Sequence, residues 1–215
     1  MNDRFLEAVG VETVEQAMKD SLKSALGVRR GSKIYKRAEL KGERKRFRAE
    51  FAKVIIEESR PYIEAVKTVP DIQHREAINR ISQKLSSAFS DCLCDEHLRH
   101  GIAQKAFNLY LKYLWRLGII IVPPPHCPID WVVLTAAGID GSWTKSDDEG
   151  QYYGMDRGAQ TKGRSRVTLF GGLGESSLVK VVVVRPLVAA FGLIRAVTSR
   201  IVSLALRAPN KTPDA

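Results

Sequence analysis

A chain of 215 residues with 44% hydrophobic residues and a formal net charge of +10 suits one domain with an appendage, or two small domains, and excludes disorder throughout. Three cysteines exclude a disulfide framework and, with no secretory leader pattern, point to a reducing, cytoplasmic setting. The longest uncharged stretches, 117–129 and 131–139, are too short to span a bilayer, so no transmembrane segment is expected.

The first 118 residues read as helices, and the expected fold is a mainly α bundle. Thr13 and Gln16 have capping-box spacing, and Val14, Ala17, Met18 and Leu22 then recur at helical intervals up to Gly27. A second helix is expected from about Ala38 to Ser59, ending before Pro61, with Phe47, Phe51, Val54 and Ile55 inward. Asp71 is expected to cap a third, whose Ile78, Ile81, Leu85 and Phe89 form one apolar stripe. The fourth contains "AQKAFNLYLKYLW" and stops at Gly118.

The consecutive prolines 123–125 forbid a helix in "IIIVPPPHCPIDWVVL", so residues 119–134 read as an extended crossing over the bundle, with short strands possible. The next stretch, to Gly154, is turn-rich and polar. Residues 1–150 hold 24 Lys and Arg against 21 Asp and Glu, whereas residues 151–215 hold 10 against 3. This shift divides the chain into a helical core domain, 1–150, and a basic, Gly-rich segment with an amphipathic helix, 151–215. It also raises an altered reading frame or a divergent terminus, which sequencing the coding DNA across this junction settles.

On a helical wheel Gln104, Lys105, Asn108 and Lys112 fall in a single narrow arc, and every other direction of the fourth helix is apolar or aromatic. Three readings compete for this seam. It faces water; or Asn108 and Lys112 hold a carboxylate, with Asp130 as partner, or backbone carbonyls of the crossing; or Lys105 and Lys112 receive a phosphate. "RHGIAQKAFNLYLKYLW", followed by "PPHCPID" and "WTK", resembles a family of bacterial proteins that share a G-x-A-Q-K-x-x-N-x-x-x-K-Y helix and a Pro-Pro-His-Cys-Pro turn. The resemblance covers residues 99–145 and implies a helical fold, with a shared role for Gln104, Lys105, Asn108, Lys112, His126 and Cys127. It implies no activity and no catalytic residue.

Cys94, His97, His126 and Cys127 are weak metal or thiol candidates. Cys-x-Cys is not the usual ligand spacing, and neighbouring residues of an extended chain point to opposite sides. No phosphate loop, dinucleotide fingerprint or Ser-His-Asp pattern is present, and no cofactor is expected. The strongest charge feature is 29–48, with ten basic and two acidic residues. Arg37, Lys41, Arg44 and Arg48 lie within about 60° of one another on a helix, and Arg29, Arg30 and Lys33 lie in the turn before it. The expected function is therefore non-enzymatic binding, with sequence-tolerant contact to nucleic acid first, an assembly component with an acidic protein partner second, and a metal or thiol enzyme third.

Overall fold

The structure, a computed structural model, describes residues 9–27, 33–36, 41–147, 149–152 and 154–158. It is mainly α. The helices are α1 (Val14–Leu26), α2 (Lys41–Ile63), α3 (Asp71–Phe89), α4 (His100–Arg116) and α5 (Trp131–Ala137), with 3-10 turns at Cys94–Glu96 and Trp143–Lys145. Among the described residues there is no strand; Tyr35 and Leu93 form an isolated antiparallel bridge.

α1 begins with the full capping box. Thr13 Oγ1 accepts from Gln16 N–H, and Gln16 Oε1 accepts from Thr13 N–H, so two orphan amide donors are satisfied reciprocally. Its buried face of Ala17, Met18, Leu22, Ala25 and Leu26 lies chiefly against α4. α2 and α3 form a hairpin sealed by Phe47, Phe51, Val54, Ile55, Ile78, Ile81, Leu85 and Phe89, all 8% exposed or less. Edge-on ring contacts join Phe47 to Phe51, Phe89 and Tyr35. On the rim of the hairpin Arg80 donates twice to Glu58 Oε2, at 2.9 and 3.1 Å.

Two helix boundaries differ from the sequence expectation. α2 runs through Pro61 to Ile63, because a proline in the last turn forfeits one hydrogen bond while Tyr62, 3% exposed, gains a core site. Asp71 is the first helical residue of α3 and not its cap; Pro70 precedes it, and the Asp71 carboxylate is taken by Arg75 and His126. The start of α2 near Ala38 lies outside the described residues.

Residues 119–130 form neither helix nor strand, whereas residues 131–134, expected as the end of the extended crossing, open α5, because the Asp130 side chain caps a helix there through Val133 N–H. Residues 149–152 and 154–158 are helical and carry Tyr152 and Asp156, both buried, into the core. Residue 150, the expected end of the core domain, falls inside this stretch. The basic Gly-rich segment and amphipathic helix from 159 onward lie outside the described residues. Among the described residues, no helix is long and apolar enough to cross a membrane.

Candidate functional site

Gln104 and Asn108 sit one turn apart on α4, and neither side chain touches water. Gln104 donates from Nε2 to Gly101 O (2.9 Å) and Ile129 O (2.7 Å), and its Oε1 accepts from Ile129 N–H (3.2 Å). Three backbone partners thus fix the orientation of the amide. Asn108 Nδ2 is shared among Cys127 O (3.2 Å), Gln104 Oε1 (3.3 Å) and Tyr152 Oη (3.0 Å).

Asn108 Oδ1 is then an acceptor, so His74 Nε2, 2.9 Å away, carries a proton and donates it. His74 Nδ1 consequently accepts from the Tyr62 hydroxyl at 2.7 Å. Burial, reinforced by the neighbouring His126, lowers the His74 pKa to about 3, so the ring is neutral. The His74 and His126 ring centres are 4.5 Å apart. On the other side, the Tyr152 hydroxyl receives from Asn108 and is hydrogen-bonded to His126 Nδ1 at 2.6 Å. His126 Nε2 faces the Asp71 carboxylate, with Asp156 Oδ2 at 3.8 Å. Burial and the nearby Asp156 hold the Tyr152 pKa well above the ordinary phenol range. One continuous chain of hydrogen bonds therefore runs Tyr62, His74, Asn108, Tyr152, His126, Asp71.

Successive contacts show which way the Pro-rich segment travels. Cys127 meets Asn108, Ile129 meets Gln104, Asp130 meets Lys105, and Ser146 O accepts from Gly101 N–H at 2.9 Å. The chain runs back along α4 and satisfies the polar seam as it passes. Lys105 Nζ is 3.4 Å from Asp130 Oδ2 and 4.4 Å from the Trp143 ring centre, its side chain only 12% exposed. Asp130 also caps α5 through Val133 N–H. Lys112 is half-buried, and its charge acts on the Cys127 thiol.

Burial pushes that thiol up to about 12, so Cys127 is protonated at neutral pH. His126 is committed to Tyr152 and Asp71. His97 bonds Asp147 Oδ1 (2.8 Å) and the Asp95 carbonyl (2.6 Å), so both ring nitrogens are engaged. Among the described residues no three His, Cys, Asp or Glu side chains come together as a metal set.

At its surface end the network opens on Asp71, whose side chain is half-exposed. Arg75 bridges Asp71 (3.4 Å) and Glu149 (2.9 Å), and Glu149 also accepts from Asn79 (2.9 Å). A shallow cleft of about 510 Å³ lies beside them, lined by Arg75, Glu149, Gly150, Gly154 and Arg157. The chemistry of the whole cluster is that of a clamp: its donors and acceptors hold residues 119–130 and 149–158 on the bundle.

The cationic face lies on the first half of α2. Arg44 places its guanidinium 4.7 Å from the Tyr35 ring centre. Lys45 and Arg48 are exposed and pair with no carboxylate among the described residues, whereas Arg46, Lys53, Arg75, Arg80 and Lys84 all do. Lys33 is described and exposed. Arg29, Arg30, Arg37 and the side chain of Lys41 lie outside the described residues.

Sequence reasoning missed Tyr62, Asp71, His74, Tyr152 and Asp156 as members of the network. One signal was legible: His74 precedes Ile78, Ile81, Leu85 and Phe89 at helical spacing, a histidine on an apolar stripe. Tyr152 carried no such mark, since it lies in a polar, glycine-bearing stretch. Neither a family model, nor a curated protein, nor a solved structure matches this chain.

A chain ending at Gly150 removes Tyr152 from the core, and with it one of the three acceptors of the Asn108 amide and a partner of His126. It is expected to lose about 3 kcal/mol or more in chemical denaturation, from one buried aromatic and its hydrogen bonds. Unchanged stability would mean that residues 151–158 contribute nothing to the clamp.

Proposed function

We propose that the protein binds nucleic acid without reading its sequence, through the cationic face at the start of α2. The observation that carries this reading is the pairing of charge: Lys45 and Arg48 are exposed, three residues apart, and among the described residues engage no carboxylate, while Arg46, Lys53, Arg75, Arg80 and Lys84 do; Arg60, also exposed without an ion pair, stands alone at the far end of α2. A solvated helix tends to intersperse charges of both signs, and an unmatched row of cations attracts polyanions. The polar clamp plays a supporting part here, since its groups are buried and mutually satisfied. Three free cysteines support a reducing, cytoplasmic site of action.

Phosphate contacts release counterions, so affinity should fall steeply and linearly in log–log coordinates as salt rises. The test is a fluorescence anisotropy titration at several salt concentrations, on the wild type and on the Lys45→Glu, Arg48→Glu double variant. The variant should bind more weakly, and its salt slope should be shallower by about two, one for each lost contact. No binding to any oligonucleotide at low salt removes the reading.

The second reading, an assembly component with an acidic protein partner, draws on the same cations and on neighbouring apolar side chains of α5. Trp131 and Val132 are 55% and 52% exposed. A partner seated on such anchors gives a shallower salt response than a polyanion does.

A further inference from the structure

Resting on the nucleic-acid reading, the geometry points to one class of polymer: we infer that the α2 face takes duplex nucleic acid, by its phosphates, in preference to single strands. Single-strand binders combine a positive groove with exposed aromatic faces on which unpaired bases stack. Of the aromatic residues interleaved with these cations, Phe47 and Phe51 are turned inward and Tyr35 is partly buried, its face covered by Arg44. Phe47 and Phe51 are 0% exposed, and Tyr35 lies edge-on to Phe47 at 5.7 Å with Arg44 over its face. Among the described residues no ring beside the cations presents an open face to a base. Among the described residues the aromatic side chain with the greatest exposure, Trp131, belongs to α5.

The shape of the surface leads to the same class. Lys45 and Arg48 stand three residues apart on one helix, so they meet a ligand along a line. A Cβ built on Gly42, one turn before Lys45 and Arg46, meets nothing within 4 Å, so the helix backbone is open to close approach there. A duplex presents two phosphate rows at higher linear charge density than a single strand, and it releases more counterion per contact. Phosphate contacts of this kind position a protein without specifying bases, and they are available on DNA and RNA duplexes alike.

The test is an anisotropy competition on the full chain between a DNA oligonucleotide and the duplex made by annealing it to its complement, at matched phosphate concentration and several salt concentrations. The expected result is duplex binding about tenfold tighter at equal salt, with a steeper salt slope, and equal loss for both ligands in the Lys45→Glu, Arg48→Glu variant. Single-strand binding as tight as duplex binding overturns the duplex inference and leaves sequence-tolerant binding standing. Failure of both ligands to bind at low salt overturns the parent reading itself.

Discussion

Replacing His74 by Gln is expected to flatten the acid limb of the protein's stability curve. In the unfolded chain an imidazole binds a proton near pH 6.5, whereas burial and the neighbouring His126 hold folded His74 at about 3. Between these values the unfolded state binds more protons, so stability rises with pH. The contribution is fully present above roughly pH 6.5 and is lost as pH falls toward about 3. The slope approaches about 1.4 kcal/mol per pH unit, or about 3 kcal/mol between roughly pH 7 and pH 4. A glutamine amide keeps one donor for Asn108 and one acceptor for Tyr62 but does not titrate, so the variant loses this slope. It also loses the ring stacked on Phe107, and its stability at neutral pH should be lower. Urea denaturation across this pH range reads both effects, and parallel curves for wild type and variant would show that His74 does not titrate as placed.

Gly101→Ala should be among the most damaging single substitutions in the chain. A Cβ built there lies 1.7 Å from the Trp143 carbonyl oxygen and 2.9 Å from its carbon, both backbone atoms that no side-chain rotation can move. The 143–146 turn must leave α4, and with it go Gly101 N–H to Ser146 O, Arg99 to Thr144 O, and the Trp143 ring over Lys105. Alanine gains about 1 kcal/mol of helix propensity, but lost contacts and overpacking cost about 2 to 4 kcal/mol, so the clash wins. Gly42→Ala on α2 is the control, since its Cβ meets open space and only the propensity gain remains. If both substitutions raise the melting temperature alike, the close approach of the turn to α4 is wrong.

The local grammar of the bundle was open to reading in the sequence. Thr13 and Gln16 predicted the start of α1 because a capping box depends only on neighbours. The stripe from Ile78 to Phe89 predicted the buried face of α3 for the same reason, helical periodicity. Pro61 misled because its rule is local, while Tyr62 has a reason to stay helical that comes from α3. The partners on the fourth helix were legible only in outline. The wheel placed Gln104 and Asn108 on one seam, but that Ile129 and Cys127 would supply the carbonyls follows from the path of residues 119–130. The wheel also did not single out Lys105 as the partner of Asp130, a contact made as the segment passes the first half of α4.

What the sequence determined by itself was the helical class, the main buried faces, the charge excess of residues 29–48 and the existence of a polar seam, all of which depend on composition and short-range periodicity. What only the tertiary structure decided was where the buried polar groups find partners. Tyr62, His74, Asn108, Tyr152, His126 and Asp71 come from five separate stretches of chain, and each is costly to bury alone. They become affordable together only when α2, α3, α4, the Pro-rich segment and residues 149–158 close on one another, because hydrogen-bond satisfaction is a property of the assembled interior and not of any one segment.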